Sequence, residues 1–148
     1  MSDERPILLA EDNASDAELT LEAFAQHGFG RQVTVVRDGA EALEYLHRRG
    51  RYTERPSTAP CVILLDVKMP RANGLEVLRA IKTDEILRTI PVVMLSSSRE
   101  EDDLRRSYEL GANGYIVKPV DFTEFSRAVH HLSLFWGITN EPPPPVRG

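Results

Sequence analysis

The sequence predicts an α/β domain with a doubly wound (βα)5 fold and a five-stranded parallel sheet. Five short apolar runs rich in Val, Ile and Leu recur along the chain, and their hydrophobicity is continuous, which is typical of strands covered on both faces. A segment with helical spacing follows each run, so the order strand–helix is repeated five times. The five runs are residues 7–10, 33–36, 61–65, 91–95 and 114–117.

Five polar side chains stand where these helices are expected to begin, because their oxygens can accept a hydrogen bond from a free N–H group of the first helical turn. The predicted pairs are Ser15 with Glu18, Asp38 with Glu41, Asn73, Ser98 with Glu101, and Asp121 with Glu124. Gly28 is expected to end the first helix. The fourth helix offers only Leu104, Tyr108 and Leu110 for burial, so we expect it to pack loosely.

Length and composition limit the classes of protein. The 148 residues fit one domain, and the formal net charge of -5 argues against nucleic acid as a partner. The single cysteine, Cys61, rules out an internal disulfide and fits a reducing cytoplasm, and no apolar stretch is long enough for a membrane span. We therefore expect a soluble cytoplasmic protein with neither a membrane nor a nucleic-acid partner.

Two stretches interrupt the pattern of strands and helices. Residues 48–60 form a long polar connection with two prolines, which we expect to be a surface loop. Residues 140–148 contain four consecutive prolines and cannot form a helix or a central strand. We predict a folded domain over residues 1–136 and a Pro-rich tail over residues 137–148, with no room for a separate output domain.

Polar residues follow the predicted strands. Glu11 and Asp12 follow the first strand, Asp66 the third, Ser96 the fourth and Lys118 the fifth. In a sheet of flavodoxin-like order 2-1-3-4-5, strands 1 and 3 flank the ligand crevice, so the three acids become neighbours. Carboxylates this close repel one another unless a cation lies between them, and Mg²⁺ suits such oxygen ligands.

A magnesium ion in this crevice implies phosphate chemistry. The carboxylate of Asp66 can attack a phosphoryl group, while Mg²⁺ and Lys118 bind its oxygens and Ser96 donates a hydrogen bond to one of them.

Four segments, "ILLAEDN", "VILLDVKMPRANG", "VVMLSSS" and "GANGYIVKP", resemble the CheY-like receiver domains of two-component response regulators over roughly residues 5–135. The resemblance implies that a sensor histidine kinase phosphorylates Asp66 and that the protein is a signalling switch, catalysing only its own phosphorylation and dephosphorylation. It also implies a cis Lys118–Pro119 bond. The further roles it implies are Mg²⁺ ligands for Glu11, Asp12, Asp66 and the Lys68 carbonyl, switch residues for Ser96 and Tyr115, and the family's invariant lysine for Lys118.

Other interpretations of these residues remain open at this point. Taken singly, Asp66 is more often a cap, Asp12 can cap the first helix, and Tyr115 on an apolar strand is by default a core aromatic. A haloacid dehalogenase-type phosphatase also uses a strand-end Asp, but it requires a second Asp where this chain has Lys68. A flavodoxin shares the fold, but "AEDNASD" would repel its phosphate. Inside the family, a relay intermediate and a phosphate sink remain alternatives.

The signal is expected to leave the domain through a protein contact, with Ser96 moving toward the phosphoryl group and Tyr115 turning inward to change the surface around the fourth helix. Leu132, Phe135 and Trp136 near the end of the fifth helix suggest a homodimer interface, or a helix end covered by its own tail. The overall texture resembles single-domain regulators paired with bacterial phytochrome histidine kinases. That narrower resemblance implies red/far-red light as the signal and leaves the downstream protein unknown.

Overall fold

A computed structural model describes residues 5–69, 73–97, 100–118 and 121–144. Its sheet has five parallel strands in the order β2-β1-β3-β4-β5, which confirms the predicted fold class. Three strand boundaries, the start of β3 and both ends of β4, differ from the predicted ones by one residue. The strands are β1 Ile7–Ala10, β2 Val33–Val36, β3 Val62–Leu65, β4 Val92–Ser96 and β5 Gly114–Val117.

Five α-helices connect and cover the strands, and they are α1 Ala14–Gln26, α2 Gly39–His47, α3 Gly74–Thr83, α4 Glu101–Glu109 and α5 Phe122–Leu134. Helices α1 and α5 bury one face of the sheet, on which Ile7 and Leu9 of β1 lie. Helices α2 and α3 bury the other face, with Leu8 and Ala10. Successive residues of β1 therefore enter opposite cores, which explains why the strand is apolar at every position.

The predicted caps are confirmed for α2 and α3, where Asp38 accepts from the Glu41 N–H group and Asn73 forms a complete capping box with Glu76. Asp121 caps α5 through the Thr123 N–H group rather than that of Glu124. Helix α1 ends at Gln26 with His27 as its C-cap, and Gly28 follows with a φ of 83°, as expected of a residue that ends a helix.

The predicted cap of α1 is wrong. Asn13, not Ser15, precedes the helix in an extended conformation, and its side chain accepts a hydrogen bond from the Asp16 N–H group at 2.9 Å. Asparagine caps as well as serine does, so α1 begins one residue after Asn13 and encloses Ser15. The corresponding assignment of Ser98 to α4 lies outside the described residues, and so does the Lys118–Pro119 bond.

Helix α4 packs loosely, as expected from its sequence. Ser107 is its only fully buried residue among those described, and Tyr108 is 54% exposed. A helix with so little buried apolar surface is easier to displace than the other four.

The long connection between α2 and β3 is ordered by one arginine. The Arg55 guanidinium lies 4.2 Å over the centre of the Tyr45 ring and donates from Nε to the Tyr45 carbonyl oxygen at 3.0 Å. Its Nη1 also donates to the carbonyl oxygens of Pro56 and Thr58. The predicted surface loop is therefore exposed but fixed to α2.

The fifth helix continues beyond Leu134 as a π-helical turn, Phe135–Thr139. Arg5 holds this extension, because its Nη1 donates to the carbonyl oxygens of Trp136 at 3.3 Å and Asn140 at 2.5 Å. The sequence-based boundary between residues 136 and 137 thus falls inside a continuous helical segment. Within the described ranges no helix has the length and hydrophobicity to cross a membrane.

Gly74 begins α3 in close contact with the backbone that carries Asp66. The Gly74 N–H group donates to the Val67 carbonyl oxygen at 2.8 Å, and a Cβ at position 74 would overlap the Asp66 carbonyl oxygen and lie 2.9 Å from the Val67 Cα atom. The first turn of α3 can approach the end of β3 this closely because residue 74 has no side chain.

Gly74→Ala is therefore expected to destabilise the domain, although alanine is a better helix former by about 1 kcal/mol. Backbone overlap cannot be relieved by a rotamer change, so we expect a net loss of about 1–3 kcal/mol in the free energy of unfolding, measured by urea denaturation.

Gly114→Ala is the matched control, since a Cβ there meets only the Val93 side chain, at 3.6 Å. Equal denaturation midpoints for the two variants would contradict the close contact at Gly74.

Candidate phosphoryl-acceptor site

The predicted site residues meet at the carboxyl edge of the sheet, around a cleft of about 380 Å³. Glu11 lies buried beneath it, and the residues that line it come from four of the five strand ends and from the start of α1 and α4. The lining residues are Asp12, Asn13, Asp16, Asp66, Lys68, Ser96, Ser97, Glu100 and Lys118.

Backbone hydrogen bonds fix the three charged groups at the base of the cleft, because the sheet ladder continues one residue past each strand. The Glu11 N–H group donates to the Val36 carbonyl oxygen at 3.0 Å, and that of Asp66 to Ala10 at 3.1 Å. The Lys118 N–H group donates to the Ser96 carbonyl oxygen at 2.7 Å. The side chains therefore start from rigid positions.

Three carboxylates surround the Lys118 ammonium. Its Nζ donates to Glu11 Oε1, to Asp16 Oδ2 at 3.1 Å and to Asp66 Oδ2 at 3.3 Å. Burial alone lowers the pKa of Lys118, but the hydrogen bond to Glu11 and the charges of Asp66 and Glu11 outweigh it, so the pKa lies above its ordinary value. The lysine is a permanent cation in this cleft.

Glu11 is the most deeply buried of the acids, with no exposed surface. Burial is the largest cause that raises its pKa, to about 7, and the hydrogen bond with Asp66 adds to it, while Lys118 opposes the shift. One lysine is therefore not enough to balance the negative charge gathered here.

The donor set fits a divalent cation. Glu11, Asp12 and Asp66 each offer a carboxylate oxygen, and the three oxygens lie within 4.8 Å of one another. Hard cations such as Mg²⁺ and Mn²⁺ prefer oxygen ligands of this kind, and a bound cation would stabilise the ionised form of Glu11, whose pKa is raised mainly by burial and further by the hydrogen bond with Asp66.

The other predicted site residues occupy different environments. Ser96 is buried at the end of β4 and lines the cleft. The Lys68 N–H group donates to Asp66 Oδ1 at 3.2 Å, which orients the carboxylate. Tyr115 is half-buried on β5, opposite Met94, and packs against the core formed with α2 and α3.

The predicted interface residues lie in two different environments, the core and the surface. Leu132 is 7% exposed and belongs to the core under α1 and α5, and Trp136 packs against the same core. Phe135 is exposed, together with Leu134 and Ile138. The exposed apolar surface of this helix end therefore consists of Leu134, Phe135 and Ile138.

Asp16 was not among the residues selected from the sequence. It lies in the first turn of α1, whereas the sequence pattern pointed to side chains directly after a strand. The spacing Asn13-x-x-Asp16 is the available signal, because it places residue 16 at the start of a helix that begins at the edge of the cleft.

Residues 7–130 match the model of the response regulator receiver domain. The chain therefore belongs to the response regulator receiver family, as the sequence motifs predicted. Domains of this family act as signalling switches, bind a divalent metal and have a histidine kinase as partner. The assignment removes the phosphatase and flavodoxin alternatives.

Two curated relatives match nearly the whole chain. The probable methanogenesis regulatory protein FilR2 of Methanothrix harundinacea is 41% identical over 142 residues, which are 95% of this chain and 88% of that protein. The response regulator Rcp1 of Synechocystis sp. is 37% identical over 140 residues, covering 92% and 94%.

Solved structures of similar sequence have the same fold. The phosphorylated cyanobacterial phytochrome response regulator RcpA superposes with a TM-score of 0.86 at 41% identity, over 95% of this chain and 99% of that one. The bacteriophytochrome response regulator AtBRR gives 0.77 at 54% identity, over 95% and 100%. The Mn²⁺-bound form of Rcp1 gives 0.85 at 36% identity, over 95% and 99%.

The raised pKa of Glu11 predicts a pH-dependent metal affinity. Below about pH 7 the carboxyl is largely protonated, so a metal ion must displace its proton, and above that pH it need not. We expect the apparent Kd for Mg²⁺ to fall by up to about tenfold per pH unit as the pH rises toward 7, and to level off above it.

Calorimetric titrations between about pH 6 and about pH 8, in buffers of different ionisation enthalpy, measure both the Kd and the proton released on binding. Glu11→Gln is expected to bind Mg²⁺ more weakly and to lose this part of the pH dependence. A wild-type Kd that does not change with pH would contradict the assignment.

Proposed function

We propose that a sensor histidine kinase phosphorylates this protein on Asp66 in a Mg²⁺-dependent reaction, and that the kinase belongs to a phytochrome photoreceptor. The observation that carries the proposal is the position of the Asp66 carboxylate. It faces an open cleft between an oriented lysine and two further acids of a metal-binding set.

The geometry supports in-line attack by Asp66 on a phosphoryl group. A carboxylate oxygen forms the new bond to phosphorus while the bond to the donor's imidazole nitrogen breaks. That nitrogen keeps the electron pair, and the donor ring, protonated on its other nitrogen, leaves as neutral imidazole. The Lys68 N–H group holds the carboxylate in one orientation through Oδ1. Glu11, Asp12, Asp66 and the Lys68 carbonyl are the proposed ligands of a Mg²⁺ ion, which supplies positive charge for the phosphoryl oxygens.

Lys118 and Ser96 are proposed to stabilise the transferred group. The Lys118 ammonium lies 3.3 Å from Asp66 Oδ2 and neutralises charge beside the phosphoryl oxygens, and the Ser96 hydroxyl is at the same edge of the cleft. The same groups allow the protein to catalyse its own phosphorylation from small donors and its own dephosphorylation.

We propose that phosphorylation is transmitted through α4 and β5. Ser96 ends β4 and Tyr115 is half-buried on β5, where an inward rotation increases its packing. Helix α4, which buries little apolar surface, is the element most easily moved. The downstream protein is then one that recognises the altered surface around α4.

The phytochrome connection rests on similarity. RcpA and AtBRR, which match nearly the full chain, carry that connection in their names. FilR2, at 41% identity, is named for methanogenesis regulation and not for a phytochrome, so the connection is not common to all similar chains. We propose a cytoplasmic protein, since the phosphoryl group of a histidine kinase originates from ATP inside the cell, with neither nucleic acid nor membrane as a partner.

Asp66→Asn tests the proposed acceptor. The wild-type protein incubated with acetyl phosphate and Mg²⁺ is expected to gain about 80 Da in intact mass, because one phosphoryl group is added. The Asp66→Asn variant is expected to show no adduct, and neither is the wild type without Mg²⁺.

Asp102→Asn is the matched control, since Asp102 is exposed on α4 and pairs only with Arg105 among the described residues. It should be labelled like the wild type. An adduct of equal yield on Asp66→Asn would assign the phosphoryl group elsewhere. Replacing acetyl phosphate by an autophosphorylated phytochrome kinase, in red and in far-red light, tests the upstream partner in the same assay.

We propose further that the protein is a homodimer and that the exposed apolar surface of Leu134, Phe135 and Ile138 forms the contact. These side chains are 39%, 47% and 60% exposed on one helical segment that Arg5 fixes to the domain. A second copy of the same helix end is the simplest complementary surface.

We place the start of the Pro-rich tail after Asn140.

Phe135→Glu is expected to convert the dimer to a monomer, because two charges would face each other across the contact without a counter-ion. Sedimentation velocity at several concentrations measures the change.

Ile86→Glu is the matched control, since Ile86 is also 60% exposed but lies on the opposite side of the sheet, after α3. If both variants sediment like the wild type, the dimer does not form through this surface.

A further inference from the structure

Asp16 is fixed at the start of α1 with its carboxylate directed into the cleft. Its N–H group donates to Asn13 Oδ1 at 2.9 Å, and its carbonyl oxygen accepts from the hydroxyl of the buried Thr20 at 2.7 Å. The backbone of residue 16 is therefore held from both sides.

The Asp16 side chain pairs with Lys118 and does not complete the cap of the helix. In a capping box the third residue of the helix accepts from the N–H group of the cap, but here the Asn13 N–H group donates to Glu11 Oε2 at 3.3 Å. The Asp16 carboxylate lies instead 3.1 Å from Lys118 Nζ, which is supplied by the far end of the chain.

The three partners of Lys118 differ in one respect. Glu11 and Asp66 also belong to the set of oxygens that can hold a metal ion, whereas Asp16 lies outside that set. A divalent cation competes with the ammonium for the oxygens of Glu11 and Asp66 and repels it. Asp16 is then the carboxylate that Lys118 retains.

We propose that Asp16 is a positioning residue that holds the Lys118 ammonium at the rim of the cleft when the metal is bound, ready to meet the phosphoryl group on Asp66. The inference rests on the proposed function, because it assigns Asp16 a part in that reaction. Without Asp16, Lys118 in the metal-loaded protein lacks the one carboxylate partner that lies outside the metal-binding set, and it is held less firmly in the cleft.

Asp16→Asn removes the charge and keeps the size of the side chain. At saturating Mg²⁺ we expect phosphorylation by acetyl phosphate to slow by up to about fivefold, the scale of a partly exposed ion pair, since the Asp16 side chain is 43% exposed. Asp16→Glu, which keeps the charge, is expected to recover most of the rate. The Kd for Mg²⁺ should change by less than about threefold, because Asp16 is not a ligand.

Glu18→Gln is the matched control. Glu18 is exposed in the same part of α1 and, in the described part of the chain, forms no ion pair with Lys118. It removes the same charge without touching the lysine. Equal rates for Asp16→Asn and Glu18→Gln, or a faster reaction of Asp16→Asn, would overturn the proposal.

A second measurement reports on Lys118 directly. A short pulse of an amine-acylating reagent, applied to the Mg²⁺-loaded and unphosphorylated protein, is expected to label Lys118 faster in Asp16→Asn than in the wild type or in Glu18→Gln. Equal labelling would overturn the inference while leaving the acceptor intact. Absence of any phosphoryl adduct on the wild type would instead overturn the proposed function, and the labelling result would still show whether Asp16 holds the lysine.

Discussion

The charge balance around Lys118 is the constraint on which the rest of the site depends. Glu11, Asp16 and Asp66 accept hydrogen bonds from the Lys118 ammonium, Asp12 lies close to Glu11 and Asp66, and Glu11 has no contact with solvent. The carboxylates that contact Lys118 outnumber it three to one, so the group remains short of positive charge. The same shortage makes the cleft a receptor for a metal ion and, with the ion in place, for a phosphoryl group.

The parallel sheet makes this concentration of charge possible. Its five strands end at one edge of the sheet. Groups separated by more than a hundred residues in sequence, such as Glu11 and Lys118, therefore meet directly at the ends of their strands. The two apolar cores on either side hold the strands in register, and the backbone ladder continues into the acidic residues themselves. The packed apolar cores therefore lie directly beside the cluster of charged side chains. This arrangement suits a domain that must respond to one added group without unfolding.

The sequence predicted the sheet order and the residues at the strand ends because both follow from general rules of parallel sheets. It did not predict Asp16, whose role depends on where α1 begins. The cap of α1 is Asn13 rather than Ser15, and the sequence could not decide between them because the two residue types cap equally well and stand two positions apart. The fixed loop after α2 could not be foreseen either, since it depends on a contact between the Arg55 guanidinium and the face of Tyr45. Leu132 was assigned to an interface although its spacing from Phe125 and Val129 already marked a core position, and the structure places it there. Local sequence rules thus located the helices and strands, whereas tertiary contacts decided whether a given side chain lies in the site, in the core or on the surface.

The hydrogen bonds between Arg5 and the helical extension of α5 limit where a tag or label can be attached to the protein. Its guanidinium joins the segment before β1 to the carbonyl oxygens of Trp136 and Asn140, and the side-chain amide of Gln32 donates to the Arg5 carbonyl oxygen at 2.8 Å. These hydrogen bonds thus join the first and last parts of the described chain, at the end of the strands away from the cleft. An affinity tag or fluorescent fusion attached close to Arg5 would disturb these hydrogen bonds and the apolar helix end beside them.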